Sequence, residues 1–181
     1  MNRVIDSKSV ITLLRERLQQ LVASQDDLGQ GIQIISIEMG PVSLLGWLQS
    51  QSTKQRFYWD NRDGTLSFSA LGICADFSRN QAESVSDYLA RLAPVRKGLS
   101  PMLLVGGLGF SDESSPSSKW ADGFGNGRFV LPRLMIIQKD GGWAIHLATS
   151  ETDRTESGLQ QISVFLDSVN FEDVSPAVFS G

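Results

Sequence analysis

Apolar positions recur along the chain with two different periods. Val10, Leu13, Leu14, Leu18, Leu21 and Val22 fall three or four apart, with Arg15, Glu16, Arg17, Gln19 and Gln20 filling the other side. That is the spacing of one helix face, so a helix is expected over Ser7–Val22, capped by Ser7 or Ser9. After the polar break Gln25–Gly31, the stretch IQIISIE (Ile32–Glu38) is rich in β-branched residues and predicts a strand. Pro41 suits the first turn of a short helix over Val42–Ser50, packing through Leu44, Leu45, Trp47 and Leu48. Gln55–Trp59 then reads as a strand, Asn61–Gly64 (NRDG) as a turn, and Thr65–Cys74 as the returning strand, in which Leu66, Phe68 and Ala70 alternate with polar residues.

The second half repeats both signals. Ala82, Val85, Tyr88, Leu89 and Leu92 predict an amphipathic helix over Arg79–Leu92, ended by Pro94. MLLVGGLGF (Met102–Phe110) is continuously apolar and reads as a strand buried on both sides. Ser111–Gly127 is irregular, rich in Ser, Gly and Asp. RFVLPRLMIIQ (Arg128–Gln138) is a strand whose Pro132 should put it at a sheet edge or in a bulge. Lys139–Gly142 (KDGG) turns the chain into a last strand, Trp143–Thr149, and Glu156–Val169 carries a helical stripe of Leu159, Ile162, Phe165, Leu166 and Val169. The tail Asn170–Gly181 has no periodicity. About four helices and six strands, arranged as hairpins, predict an α+β fold with a mostly antiparallel sheet and flanking helices.

The segment RFYWD poses a question of its own. Neighbouring side chains on a strand point to opposite faces, so Phe57, Tyr58 and Trp59 put large rings on both. Either the second face is covered by elements outside this chain, or the strand is central in a self-contained sheet.

Composition narrows the function classes. The 181 residues carry 16 basic and 20 acidic side chains, a net charge of −4. That offers no basic field for nucleic acid and no polybasic membrane anchor. No apolar run approaches the ~20 residues that span a bilayer. MNRVIDSKSV lacks a secretory pattern, and Cys74 has no second cysteine to pair with. A soluble, cytoplasmic protein is expected.

Candidate chemistry is sparse. His146, in WAIHLAT, has no local nucleophile or acid and reads as a strand residue with a satisfied ring nitrogen. Cys74 reads as structural. Gly106-Gly107-Leu108-Gly109 has Asp112 where a dinucleotide fingerprint needs glycine, and Gly123–Gly127 lacks the Lys and Ser/Thr of a phosphate loop. Asp26-Asp27 and Asp112-Glu113 show no metal-ligand spacing. No acid–base pair is visible.

Several separated stretches do form a familiar set. In order they are WLQSQSTKQRFYWDNRDG (Trp47–Gly64), ALG (Ala70–Gly72), VGGLGFSD (Val105–Asp112), Trp120 with Phe124, RFVLPRL (Arg128–Leu134) and GGW (Gly141–Trp143). Together they resemble the N-terminal part of isochorismate synthases of the menaquinone pathway, within the wider family of chorismate-utilising enzymes. The likeness is dense from Trp47 to Thr149. It implies an N-terminal lobe over residues 1–169 and a linker over 170–181 toward a C-terminal chorismate-binding region. It also implies an isomerase that converts chorismate to isochorismate. In such enzymes that C-terminal region binds chorismate and Mg²⁺, a lysine there activates water, and a glutamate protonates the departing hydroxyl. The resemblance carries no catalytic, cofactor-binding or metal residue onto any position of this chain. SLLGWLQS (Ser43–Ser50) has the leucines but not the Glu-Ser of the tryptophan site in related anthranilate synthases, so none is inferred. The expected partners are the C-terminal region or, for the lobe alone, a second copy. A free-standing non-catalytic module that binds a partner protein is the alternative, and an unrelated enzyme built on His146 is a third.

Overall fold

A computed structural model describes residues 7–24, 31–80, 82–108 and 126–171. Along them run α1 (Ser7–Ala23), β1 (Gln33–Glu38), α2 (Leu44–Gln49), β2 (Arg56–Asp60), β3 (Leu66–Ser78), α3 (Val85–Gly98), β4 (Val105–Leu108), β5 (Gly127–Lys139), β6 (Gly142–Thr149), a 3-10 turn (Thr152–Arg154) and α4 (Glu156–Asp167). The six strands form one sheet in the order β1-β6-β5-β3-β2, with β4 also pairing β5. β1 with β6, β2 with β3, β4 with β5 and β5 with β6 are all antiparallel. The α+β class with a mostly antiparallel sheet is therefore correct.

The chain divides into two compact units, residues 1–72 with 133–181, and residues 73–132. β3 and β5 contribute residues to both. In the first unit, one face of the sheet gives Ile35, Ile37, Leu71, Leu134, Ile136, Ile145 and Leu147 to a single apolar cluster. The helices close it with Val10, Leu14 and Leu18 of α1, Leu44, Trp47 and Leu48 of α2, and Ile162 and Leu166 of α4. These are the positions picked out by periodicity, because a helix that buries one stripe must place its apolar residues three and four apart. Thr155 caps α4 by accepting from the Gly158 N–H at 3.1 Å. Asp140 (φ 50°) and Gly141 (φ 81°) both take the left-handed conformation that a two-residue hairpin turn requires, which explains the Asp-Gly pair there.

The second unit is built around Tyr88, which is fully buried on α3. Its hydroxyl donates to the Phe77 carbonyl and accepts from the Phe129 N–H, so it bridges β3 and β5 within that unit. Ser84 caps α3, accepting from the Asp87 N–H at 3.1 Å.

Four expectations need correction. α3 starts at Val85 because Ser84 is its cap; Pro94 accordingly falls inside the helix, which continues to Gly98. Pro41 precedes α2, whose cap is Ser43. The apolar run from Met102 yields only the short, half-buried β4; its end, Gly109–Phe110, lies outside the described residues, as does most of Ser111–Gly127. Pro132 does not mark an edge, since β5 lies inside the sheet. β5 pairs β4 over Gly127–Val130 and β6 over Leu134–Lys139. Pro132 falls outside both of these registers, so its missing N–H removes no bond to β4 or β6.

Candidate functional site

Each candidate read from sequence that lies among the described residues has its own structural setting. His146 lies on β6, opposite Met135 of β5 and Ser36 of β1. It is 3% exposed. Its Nδ1 stands 2.8 Å from the Ser36 hydroxyl, and its Nε2 is buried without a hydrogen-bond partner. Burial lowers its pKa from 6.5 to about 4, so the ring is neutral at pH 7. A serine activated by histidine needs a further group to orient the ring. Nδ1 faces a hydroxyl and Nε2 has no partner, so neither ring nitrogen meets a carboxylate. The expectation of a strand residue with a satisfied ring nitrogen holds at Nδ1.

The glycine cluster on β4 has a packing explanation. A Cβ on Gly106 would lie 2.0 Å from the Arg128 carbonyl oxygen and 2.7 Å from the Phe129 Cα, so the strands approach too closely for any side chain. Gly123–Gly125, Asp26-Asp27 and Asp112-Glu113 lie outside the described residues. Cys74 is half-buried on β3. Ser43–Ser50 is the capped helix α2, committed to the core through Leu44, Trp47 and Leu48. Among the described residues, no three His, Cys, Asp or Glu side chains come together as metal ligands.

Two polar groupings gave no sign of themselves in the sequence. Arg133 on β5 bonds Asp153 of the 3-10 turn, and the two side chains are only 16% and 11% exposed. Ser150 donates to the same carboxylate from both its N–H and its hydroxyl, each at 2.6 Å. Burial pushes the Asp153 pKa up, but the bonds from Arg133 and Ser150 outweigh it and hold the carboxyl below its ordinary value. The second grouping is Gln51, which joins α2 to the end of the described chain. Its amide donates to the Trp47 and Asn170 carbonyls at 2.7 and 2.6 Å and accepts from the Asn170 N–H at 3.0 Å. Beside it Phe171 is buried, its ring 5.7 Å from that of Trp47. The segment expected to be a linker thus begins with two residues packed against α2; residues 172–181 lie outside the described ones. The signals that could have found these groupings are weak, because their partners are separated in sequence by 20 and 119 residues.

The aromatic trio has a clear position. β2 closes the strand order, so among the described residues it is an edge and not a central strand. Tyr58 is 44% and Trp59 55% exposed. These two rings are therefore exposed in this chain.

Comparison with known proteins adds what the side chains do not. A family model described as "Chorismate binding enzyme" matches residues 16–176. Isochorismate synthase MenF of Pasteurella multocida is 31% identical over 105 residues, covering 58% of this chain and 19% of that protein. Its counterpart in Haemophilus influenzae is 26% identical over 129 residues, covering 71% of this chain and 25% of that protein. Among solved structures, the menaquinone-specific isochorismate synthase MenF from Escherichia coli aligns over 92% of this chain and 35% of its own, with a TM-score of 0.61 at 20% identity. At that identity the likeness is one of fold. This chain spans about a fifth to a quarter of the length of the two sequence relatives. The resemblance read from Trp47 to Thr149 agrees with these matches. No helix among the described residues is long and apolar enough to cross a membrane.

Proposed function

The chain belongs to the chorismate binding enzyme family, and on that premise we propose that it is the N-terminal lobe of an isochorismate synthase, serving menaquinone or related biosynthesis. The observation that carries the proposal is one of proportion. The family match takes in nearly the whole chain, while the isochorismate synthases it resembles are several times longer. The remainder of such a protein would supply the chorismate-binding region. Magnesium, the water-activating lysine and the proton-donating glutamate would act there, in the isomerisation of chorismate to isochorismate. The described residues of this chain bring no metal-ligand group together, so they do not fit the metal, and its ligands would come from that remainder. The lobe's own contribution is a framework, a packed sheet and helix layer, whose buried ionisable groups among the described residues serve structure. Arg133 and Asp153 hold each other, and His146 is buried and neutral.

Incubating the 181-residue chain with chorismate and Mg²⁺ tests this. No isochorismate is expected from the chain alone. Robust turnover would overturn the assignment of the chemistry to the remainder of the protein. A cytoplasmic setting follows from the same proposal, since the reaction uses soluble small molecules.

A further inference from the structure

We propose that two copies of this chain pair through the outer edge of β2, antiparallel, in a register centred on Tyr58. This goes beyond the catalytic reading and does not depend on it.

The backbone supplies the first argument. The Gly72 N–H donates to the Gln55 carbonyl at 2.9 Å, and the Asn61 N–H to the Leu66 carbonyl at 3.0 Å. Antiparallel ladders alternate, so Gln55, Phe57, Trp59 and Asn61 turn their peptide groups toward β3. Arg56, Tyr58 and Asp60 turn theirs the other way. β2 is the last strand of the sheet, and among the described residues no strand pairs that side. Three alternate residues thus offer both N–H and C=O to a new strand, the template that edge strands usually disguise.

The side chains supply the second. In an antiparallel pairing centred on Tyr58, Arg56 stands opposite Asp60 of the second copy, and Asp60 opposite Arg56. Both positions are exposed in the single chain. The arrangement repeats across the two-fold axis, so two opposite-charge pairs form at once. Any other register loses one or both. Asp60 already accepts from the Ser67 hydroxyl at 2.6 Å through one oxygen. Its other oxygen has only a long contact, 3.4 Å, from the Tyr58 hydroxyl. Arg56 reaches the carbonyls of Gln51 and Leu48 at 3.4 and 3.5 Å, contacts long enough to exchange for a carboxylate.

The rings supply the third. Phe57 meets Trp59 of the second copy at the positions between hydrogen-bonded pairs, where facing side chains lie closest. The same register sets Tyr58 against Tyr58 on the other face. Rings on both faces of one short strand, unexplained within a single copy, acquire partners on both.

The contact is small, so the dimer should be reversible and dependent on concentration. Sedimentation velocity on the 181-residue chain over a concentration series is the test. The wild-type chain is expected to shift from monomer to dimer. Arg56→Asp or Asp60→Arg alone sets like charges opposite each other and is expected to raise the dissociation constant about tenfold or more. The double exchange, Arg56→Asp with Asp60→Arg, restores the opposite pairs and should restore association. Tyr58→Cys places two thiols at the two-fold axis, within reach of a disulfide. Mild oxidation should link this variant into a dimer, while the wild type, whose only thiol is Cys74, stays unlinked. A wild-type chain that remains monomeric at every concentration overturns the proposal and leaves this edge to another segment of a longer protein. So does a dimer indifferent to the single charge reversals, or one that the double exchange fails to rescue.

Discussion

Two arginine–aspartate pairs, one in each unit, stand in opposite surroundings. The first unit leaves Arg15 and Asp167 exposed at its surface but buries a second pair: Arg133 and Asp153 are 16% and 11% exposed, and Ser150 completes the carboxylate's bonding. The second unit leaves its pair in solvent: Arg128 and Asp76 are 35% and 39% exposed. In both the buried and the solvated pair the aspartate is held below its ordinary pKa. At Asp153 burial opposes the shift and the bonds from Arg133 and Ser150 prevail; at Asp76 the Arg128 bond leads. The direction of a shift therefore says little about what a pair contributes. What decides is the cost of stranding its partner, which is large where water cannot reach and small where it can.

Asp153→Ala should have the largest effect. It leaves the Arg133 guanidinium buried without its carboxylate and two Ser150 donors unpaired, a loss of about 4 kcal/mol measured by chemical denaturation. A loss below about 1 kcal/mol would mean that the buried pair behaves like a surface one. His146 should come next. Its folded pKa, about 4, lies below its ordinary 6.5, so the unfolded chain takes up the proton first. The stability it protects is complete above pH 6.5 and is lost as the pH falls toward 4, a decline of about 3 kcal/mol. His146→Gln should flatten stability over that window; an unchanged slope would assign the decline to other groups. Asp76→Asn should have the smallest effect, roughly 0.5 kcal/mol, because both partners remain solvated. An effect matching that of Asp153→Ala would erase the contrast between the two pairs.

Much of the fold was legible in the sequence, for identifiable reasons. Helical stripes such as Val10-Leu14-Leu18 and the turn pairs at Asp63-Gly64 and Asp140-Gly141 report local geometry directly. Pro132 misled because the edge rule is local and the sheet order is not: β5 lies between β6 and β3, and Pro132 falls outside the registers with β4 and β6. The start of α3 was misjudged because Ala82 fits a helical stripe while Ser84 makes the better cap. The buried polar groupings were illegible because nothing near Arg133 or Gln51 announces a partner many residues away. The family was legible in an ordered set of separated stretches more than in any single motif.

Gly72 adopts φ +65°, and a Cβ there would lie 3.1 Å from the Cβ of Arg133 and 3.3 Å from the Phe165 ring. Gly72 and Arg133 are also where the first unit's chain leaves and resumes. The polypeptide departs from that unit and comes back at adjoining points, so everything from Ile73 to Pro132 is topologically a detour. Because the cost of closing a loop grows only with the logarithm of its length, the excursion could lengthen or shrink over evolutionary time at little expense to the body from which it springs.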